Sequence, residues 1–355
     1  MSKVDKKFLK SLVETPSVTG CETQVASLVR ERLASVATYV ETDVMGSVHA
    51  VLEGAGEAPS VMVAAHMDEV GLMVTYISPE GFLSVSAVGG VDAAILPGMR
   101  VDVHTQSGVF RGVVGRKPIH LISPEERKNV TPLHSLVIDL GMSAKKVRSR
   151  VRIGDVITYG VGFEKLSGGM AVSRGFDDKM GVYVAARVME EIAQAGGSRG
   201  TYSCVGTVQE EIGLRGAQTS AFCVDPDVGI AVDVTHATDY PGIDQSRYGK
   251  IVCGKGPVIA RGPNVNPVVF ERLVAAAEAE GIPYQIEAEP GVTGTDAAVI
   301  QTSRSGRACG LVSVAVRYMH TPTEVLSLHD LEATVKLLKR FVLDLDEDVS
   351  FVPGV

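Results

Sequence analysis

The stretch SVMVAAH, residues 60–66, holds five consecutive apolar residues with no polar alternation. A continuous apolar run of that length marks a strand buried on both faces, which requires a sheet covered by helices on each side. TYSCVGTV, DVGIAVDV and GLVSVAV read as further strands. Segments with helical spacing lie between them: DKMGVYVAARVMEEIAQAG, RGAQTSAFCV, NPVVFERLVAAAEAEG and TDAAVIQTSRSG, with HDLEATVKLLKRFVLDL closing the chain. This alternation predicts an α/β fold, a sheet sandwiched between helices. In open α/β sheets, ligands bind at the carboxyl ends of the strands.

One region breaks the pattern. From about Leu72 to about Phe163, short β-like runs follow one another: LMVTYIS, FLSVSAVG, RVDVHT, GVFRGVVG, SLVIDLG and GDVITYG. Gly, Pro and Ser punctuate them, and only SAKKVRSRV interrupts as a helix. The expectation is a small β-rich domain, PDZ-like or a barrel, inserted at residues 72–165 into a discontinuous domain of residues 1–71 and 166–355. At 355 residues, two domains is the prior. The six short strands have edges that need partners, and self-association would supply them.

The net charge of −8 and the lack of a Lys/Arg run exclude an ordinary nucleic-acid binder. The opening residues MSKVDKKFLKSLVETPSVTG contain no secretory apolar core. No stretch approaches the roughly 18 apolar residues of a membrane span. The five cysteines form no CxxC pair and read as reduced thiols in a cytoplasmic protein.

Four candidate loops follow strands, offering His66 and Asp68, Glu210 and Glu211, Asp233, and His320. A fifth, SRGFDDKMG, opens a helix with Asp177 and Asp178. Alone, each reads as structural, an N-cap or a hydrogen-bonded histidine. Together, at one expected sheet edge, they are a donor set for zinc or a similar divalent ion. Their number suits two metals sharing one carboxylate. Adjacent Glu210 and Glu211 leave a strand in different directions, so one could hold an ion while the other acts.

AHMDEVG, GFDDKMG, VQEEIGLRGA, AVDV, GTDAA and RYMHTP, in this order, resemble the M42 family of metallo-aminopeptidases, the tetrahedral, deblocking and glutamyl aminopeptidase group. TPSVTGCE fits that family's opening turn. The resemblance covers nearly the whole chain. It implies a three-layer catalytic domain with a mixed, phosphorylase/peptidase-like sheet, and an insert used for assembly, commonly into a tetrahedral dodecamer around an inner chamber. It implies His66, Asp177, Glu211, Asp233 and His320 as ligands of two Zn or Co ions. One ion would take His66, Asp233 and Asp177; the other would take Glu211, His320 and Asp177. Glu210 would be the general base and Asp68 would orient the imidazole of His66. A cis peptide at Asp177–Asp178 is implied too. The activity implied is removal of amino-terminal residues from short peptides.

Other residues keep two readings. Thr295 and Asp296 either stand near the site or cap the following helix. His120 and His236 either approach the pocket or are exposed. Arg247, Lys250, Arg304 or Arg307 would favour acidic amino-terminal residues if one lined the pocket. Two rival functions are a glycoside hydrolase, against which the absence of Trp weighs, and a non-enzymatic assembly protein with an inactive metal site.

Overall fold

The computed structural model describes residues 4–354. Its main body is built on an 11-stranded mixed sheet. Four strands form the centre, in the spatial order Tyr202–Thr207, Val61–His66, Val228–His236 and Ala308–Arg317, each parallel to its neighbour. Val61–His66 is buried along its entire length, as its apolar run requires. Thr207 lies opposite His66 in register, and Asp233 opposite Ser313. The loops that carry the polar residues therefore leave the sheet along one edge.

Helix Phe176–Gln194 is buried at every residue from Phe176 to Glu190. It packs on strands Val61–His66 and Val228–His236, and helices Lys6–Glu14 and Leu328–Leu343 pack against it. A second helical group, Arg215–Val224 and Ala297–Gln301, covers the central strands and completes the three layers. Asn266 starts helix Pro267–Ala279 by accepting from the amides of Val268 and Val269, and Ser327 starts Leu328–Leu343 by accepting from His329.

The β-rich run closes into a six-stranded barrel. Gly71–Ile77, Leu83–Val88, Val137–Asp139, Gly108–Gly115, Arg100–Thr105 and Val156–Tyr159 pair in that order, and the last returns to the first. Its interior, with Leu72, Val74, Leu83, Val101, Val103 and Ile157, is a core separate from that of the sheet. Closure corrects the expectation of open edges: each barrel strand has two neighbours, so edge pairing gives no reason for self-association. What the barrel leaves uncovered is apolar side chain, including Tyr76, Phe82, Val109 and Val113.

The helix expected over TDAAVIQTSRSG is confined to Ala297–Gln301. Strands Tyr39–Thr42, Met170–Ser173, Val258–Arg261 and Glu324–Ser327 were not expected from the sequence. Among the described residues, no helix is long and apolar enough to cross a membrane.

Candidate metal centre

His66 ends its strand, and Glu210 and Glu211 follow Tyr202–Thr207. Asp233 lies within Val228–His236, His320 follows Ala308–Arg317, and Asp177 opens helix Phe176–Gln194. The structure brings all of them together. Asp177 Oδ1 lies 3.0 Å from His66 Nε2, and Asp177 Oδ2 lies 3.1 Å from His320 Nε2. Glu211 Oε1 lies 3.3 Å from His320 Nε2. Ligand atoms of His66, Asp177 and Glu211 fall within 4.8 Å of one another, as do those of His66, Asp178 and Asp233.

Both imidazoles are turned in the same way. His66 Nδ1 lies 3.1 Å from the backbone carbonyl of Asp68, and His320 Nδ1 lies 3.2 Å from that of Gly90. A carbonyl only accepts, so each Nδ1 carries the proton and each Nε2 is directed at Asp177. Asp68 thus meets His66 most closely through its backbone, its carboxylate being 3.5 Å away. That carboxylate accepts from the amides of Glu210 (3.1 Å) and Glu211 (3.3 Å) and from the Thr19 hydroxyl (2.8 Å). It holds the turn that starts at Gln209, whose φ of 56° is left-handed. The Asp177–Asp178 peptide is cis. Asp178 spends both oxygens on backbone, accepting from the amides of His66 (3.2 Å) and Gly181 (3.1 Å).

Negative charge is in excess here. Asp68, Asp177, Asp178, Glu210, Asp233, Asp296 and Glu324 are all buried, with two imidazoles among them. Burial pushes Glu210 up to about 9; His66 opposes this, and Asp233, Asp296 and Glu211 add to it. Burial, reinforced by Asp233, pushes Asp178 well up, and burial also drives Asp233 upward. Asp177 goes the other way: burial would raise it, but hydrogen bonds from His320 and His66 hold it below the usual carboxylate range. The same contacts, with Asp177 first and Glu211 next, raise His320 to about 11. The chain alone settles its charge by keeping protons on groups that would ordinarily have lost them. Divalent cations would settle it directly. Glu211 Oε1 is buried with His320 Nε2, 3.3 Å away, as its polar neighbour, where an ion taken by both would sit. Carboxylate oxygens with imidazole nitrogens suit zinc and similar ions.

Three features were not foreseen. Glu324, buried four residues after His320, accepts from the His320 amide (3.0 Å) and from those of Phe176 (2.8 Å) and Asp177 (3.2 Å). It ties the two loops that carry His320 and Asp177. The only sequence hint is an acid opening the short EVLS run. Glu69, next to Asp68, is buried against Arg174 and Lys179, whose ammonium lies 2.8 Å away. The lysine of FDDK thus has a structural partner. Tyr159, from the barrel, lines a narrow cavity with Asp177, Glu211, His320 and Glu324, and its buried hydroxyl has no hydrogen-bond partner.

The open readings separate. Thr295 caps helix Ala297–Gln301, accepting from the Ala297 amide at 3.3 Å. Asp296 makes no cap; it accepts from the Thr207 hydroxyl at 2.6 Å, beside the cluster. His120 and His236 are exposed and not part of the cluster. Arg304 and Arg307 pair with Asp225, which precedes strand Val228–His236, at the opposite edge of the sheet from the cluster. Arg247 is exposed and lies over the ring of Tyr248.

The M42 glutamyl aminopeptidase family model matches residues 46–337. The chain is 37% identical to the lysyl aminopeptidase of Pyrococcus furiosus, over 99% of this chain and 100% of that protein. Its structure is similar to that of the TET aminopeptidase of a Thaumarchaeota archaeon, with a TM-score of 0.91, 33% identity and 96% of each chain covered. It is also similar to the TET1 peptidase of Pyrococcus horikoshii, which assembles into a tetrahedron or a large octahedral shell; the TM-score is 0.84, with 32% identity over 96% of this chain and 99% of that one. With a matching family model over most of its length, and a cluster of donors fit for a metal, the chain belongs to the M42 family of metal-dependent aminopeptidases.

Proposed function

We propose that the protein uses two divalent ions, zinc or cobalt, to remove amino-terminal residues from short peptides. The observation that carries this reading is Asp177, whose two oxygens face the Nε2 atoms of two imidazoles. His66, Asp233 and Asp177 would hold one ion, and Glu211, His320 and Asp177 the other. Asp177 suits the bridge better than Asp178, because Asp178 has both oxygens bonded to backbone amides. Bound ions would polarise the scissile carbonyl and lower the pKa of the attacking water.

Glu210 stands 3.9 Å from His66 Nε2 and belongs to neither group of ligand atoms. It is the carboxylate left to accept the proton of the attacking water and pass it to the leaving amine. Cationic charge beside it lowers its raised proton affinity toward what a base requires. Asp68 positions both Glu210 and Glu211 through their amides.

Residues 72–165 would form the assembly domain, with 1–71 and 166–355 the catalytic domain. The exposed apolar side chains of the barrel support self-association, and a homododecamer is the assembly proposed. The five cysteines are unpaired, which fits a cytoplasmic location. The test is metal analysis of the purified protein, with aminoacyl chromogenic substrates assayed after chelation and after metal re-addition. Two ions per chain and activity that returns with metal are expected. Full activity in metal-free protein would defeat the reading.

A further inference from the structure

The barrel meets the Glu211–His320 side of the cluster with backbone. Gly89 and Gly90 follow barrel strand Leu83–Val88. The Gly90 carbonyl receives the Nδ1 proton of His320 at 3.2 Å. A Cβ on Gly90 would lie 2.8 Å from His320 Nδ1, too close for the ring to stay where it is. A Cβ on Gly89, whose φ of 76° is left-handed, would lie 2.8 Å from Val70 Cγ1 and 3.3 Å from Glu211 Cβ and Oε2. Tyr159, also from the barrel, borders the same corner. On the other side of Asp177, His66 is turned by the carbonyl of Asp68, from its own loop. The two imidazoles that face Asp177 are therefore oriented by different parts of the molecule.

We propose that Gly90 is a positioning residue for His320, and that through it the barrel sets the affinity of the Glu211–His320 half of the centre for a divalent ion. Two properties of the residue do this. Its carbonyl holds the Nδ1 proton, which makes Nε2, facing Asp177 and Glu211, the nitrogen available to an ion. Its missing side chain leaves room for the ring. Carbonyl partners of this kind fix the tautomer and orientation of a ligand imidazole, and their loss weakens metal binding by about 10- to 100-fold. The His66 half owes nothing to the barrel by this route, so perturbing Gly90 affects the two ions unequally. The inference rests on the two-ion reading above.

Gly90→Ala is the variant to test. Gly90 is exposed on its free side and does not adopt a left-handed backbone, so alanine is compatible with folding. Metal-stripped full-length protein is titrated with Zn²⁺ against a chromophoric chelator, and with Co²⁺ by visible absorption. The expected result is two ions in the wild type. In Gly90→Ala, one ion keeps its affinity and the other is weakened about 10- to 100-fold, with a changed Co²⁺ spectrum. Unchanged affinities for both ions overturn the proposal, as does equal weakening of both. If Gly90→Ala proves unfolded by circular dichroism, the wild type decides: with Zn²⁺ bound, ¹⁵N NMR of the His320 ring, assigned by its loss in His320→Gln, shows the proton on Nδ1 if Gly90 holds it, and a proton on Nε2 overturns the proposal. A wild type that binds fewer than two ions defeats the two-ion reading instead, so the two failures are told apart.

Discussion

Replacing Glu69 by Gln probes the charge cluster beneath the site. The Glu69 carboxylate is 4% exposed at the side chain and faces two cations, Arg174 (5%) and Lys179 (0%). It also accepts from the Ser17 amide at 3.1 Å, and the two cations reach the carbonyls of Glu14 and Thr15, each at 2.8 Å. Glutamine keeps the shape and one acceptor but leaves two buried cations together without an anion. The guanidinium of Arg174 cannot shed its proton. Its lost attraction alone is about 4 kcal/mol at roughly 4 Å and an effective dielectric near 20. Lys179, which burial already lowers to about 8, can release its proton and limit the rest. The net loss should be about 3–5 kcal/mol, the usual result of breaking one side of a buried ion pair. Urea unfolding of metal-stripped wild type and variant measures it. The double variant Glu69→Gln/Lys179→Met should recover part of the loss, since one unpaired cation is gone. A loss under about 1 kcal/mol for the single variant would refute the reasoning, because it would mean that solvent reaches the cluster and screens it.

Glu210→Gln should retain both ions while turnover falls by roughly 100- to 10,000-fold, the usual weight of a general base; near-normal turnover at full metal occupancy sinks the assignment. Asp177→Asn should lower metal content more than Asp178→Asn, since Asp177 faces both imidazoles and Asp178 is engaged by amides; metal analysis showing the reverse order moves the bridge to Asp178. Light scattering should find a large assembly, and short peptides but not folded proteins should be degraded. A monomer defeats the chamber, and cleavage of a folded protein at internal bonds defeats exopeptidase action.

Much of the site is legible in the sequence because its residues sit at ends of elements that local pattern already defines. A run such as VMVAAH can be buried on both faces only as a central strand, so His66 must emerge at that strand's carboxyl edge. The same holds for Glu210 and Glu211 after TYSCVGTV and for Asp233 within DVGIAVDV. Side-chain chemistry then indicates a metal, because carboxylates and imidazoles at one edge have few other reasons to gather. The short strands Met170–Ser173 and Glu324–Ser327 were not legible. They pair with each other, and Glu324–Ser327 also pairs with Ala308–Arg317. The first pairing joins distant segments and the second follows a short loop, and neither strand carries a local periodicity to announce it.

Which way His320 and Asp177 point was decided by tertiary structure. Glu324 acts only because the Asp177 and His320 loops both fall within its reach, and Gly90 only because the barrel folds back onto His320. The barrel's closure is of the same kind: six short strands in sequence are compatible with open or closed pairing, and only the return of Val156–Tyr159 to Gly71–Ile77 removes the edges. Residue type and local period therefore determined that this chain gathers carboxylates and imidazoles along one sheet edge. A long-range backbone contact decided which nitrogen of His320 faces the shared carboxylate, because its carbonyl partner, Gly90, lies far away along the chain, whereas His66 is turned by a carbonyl two residues on in its own loop.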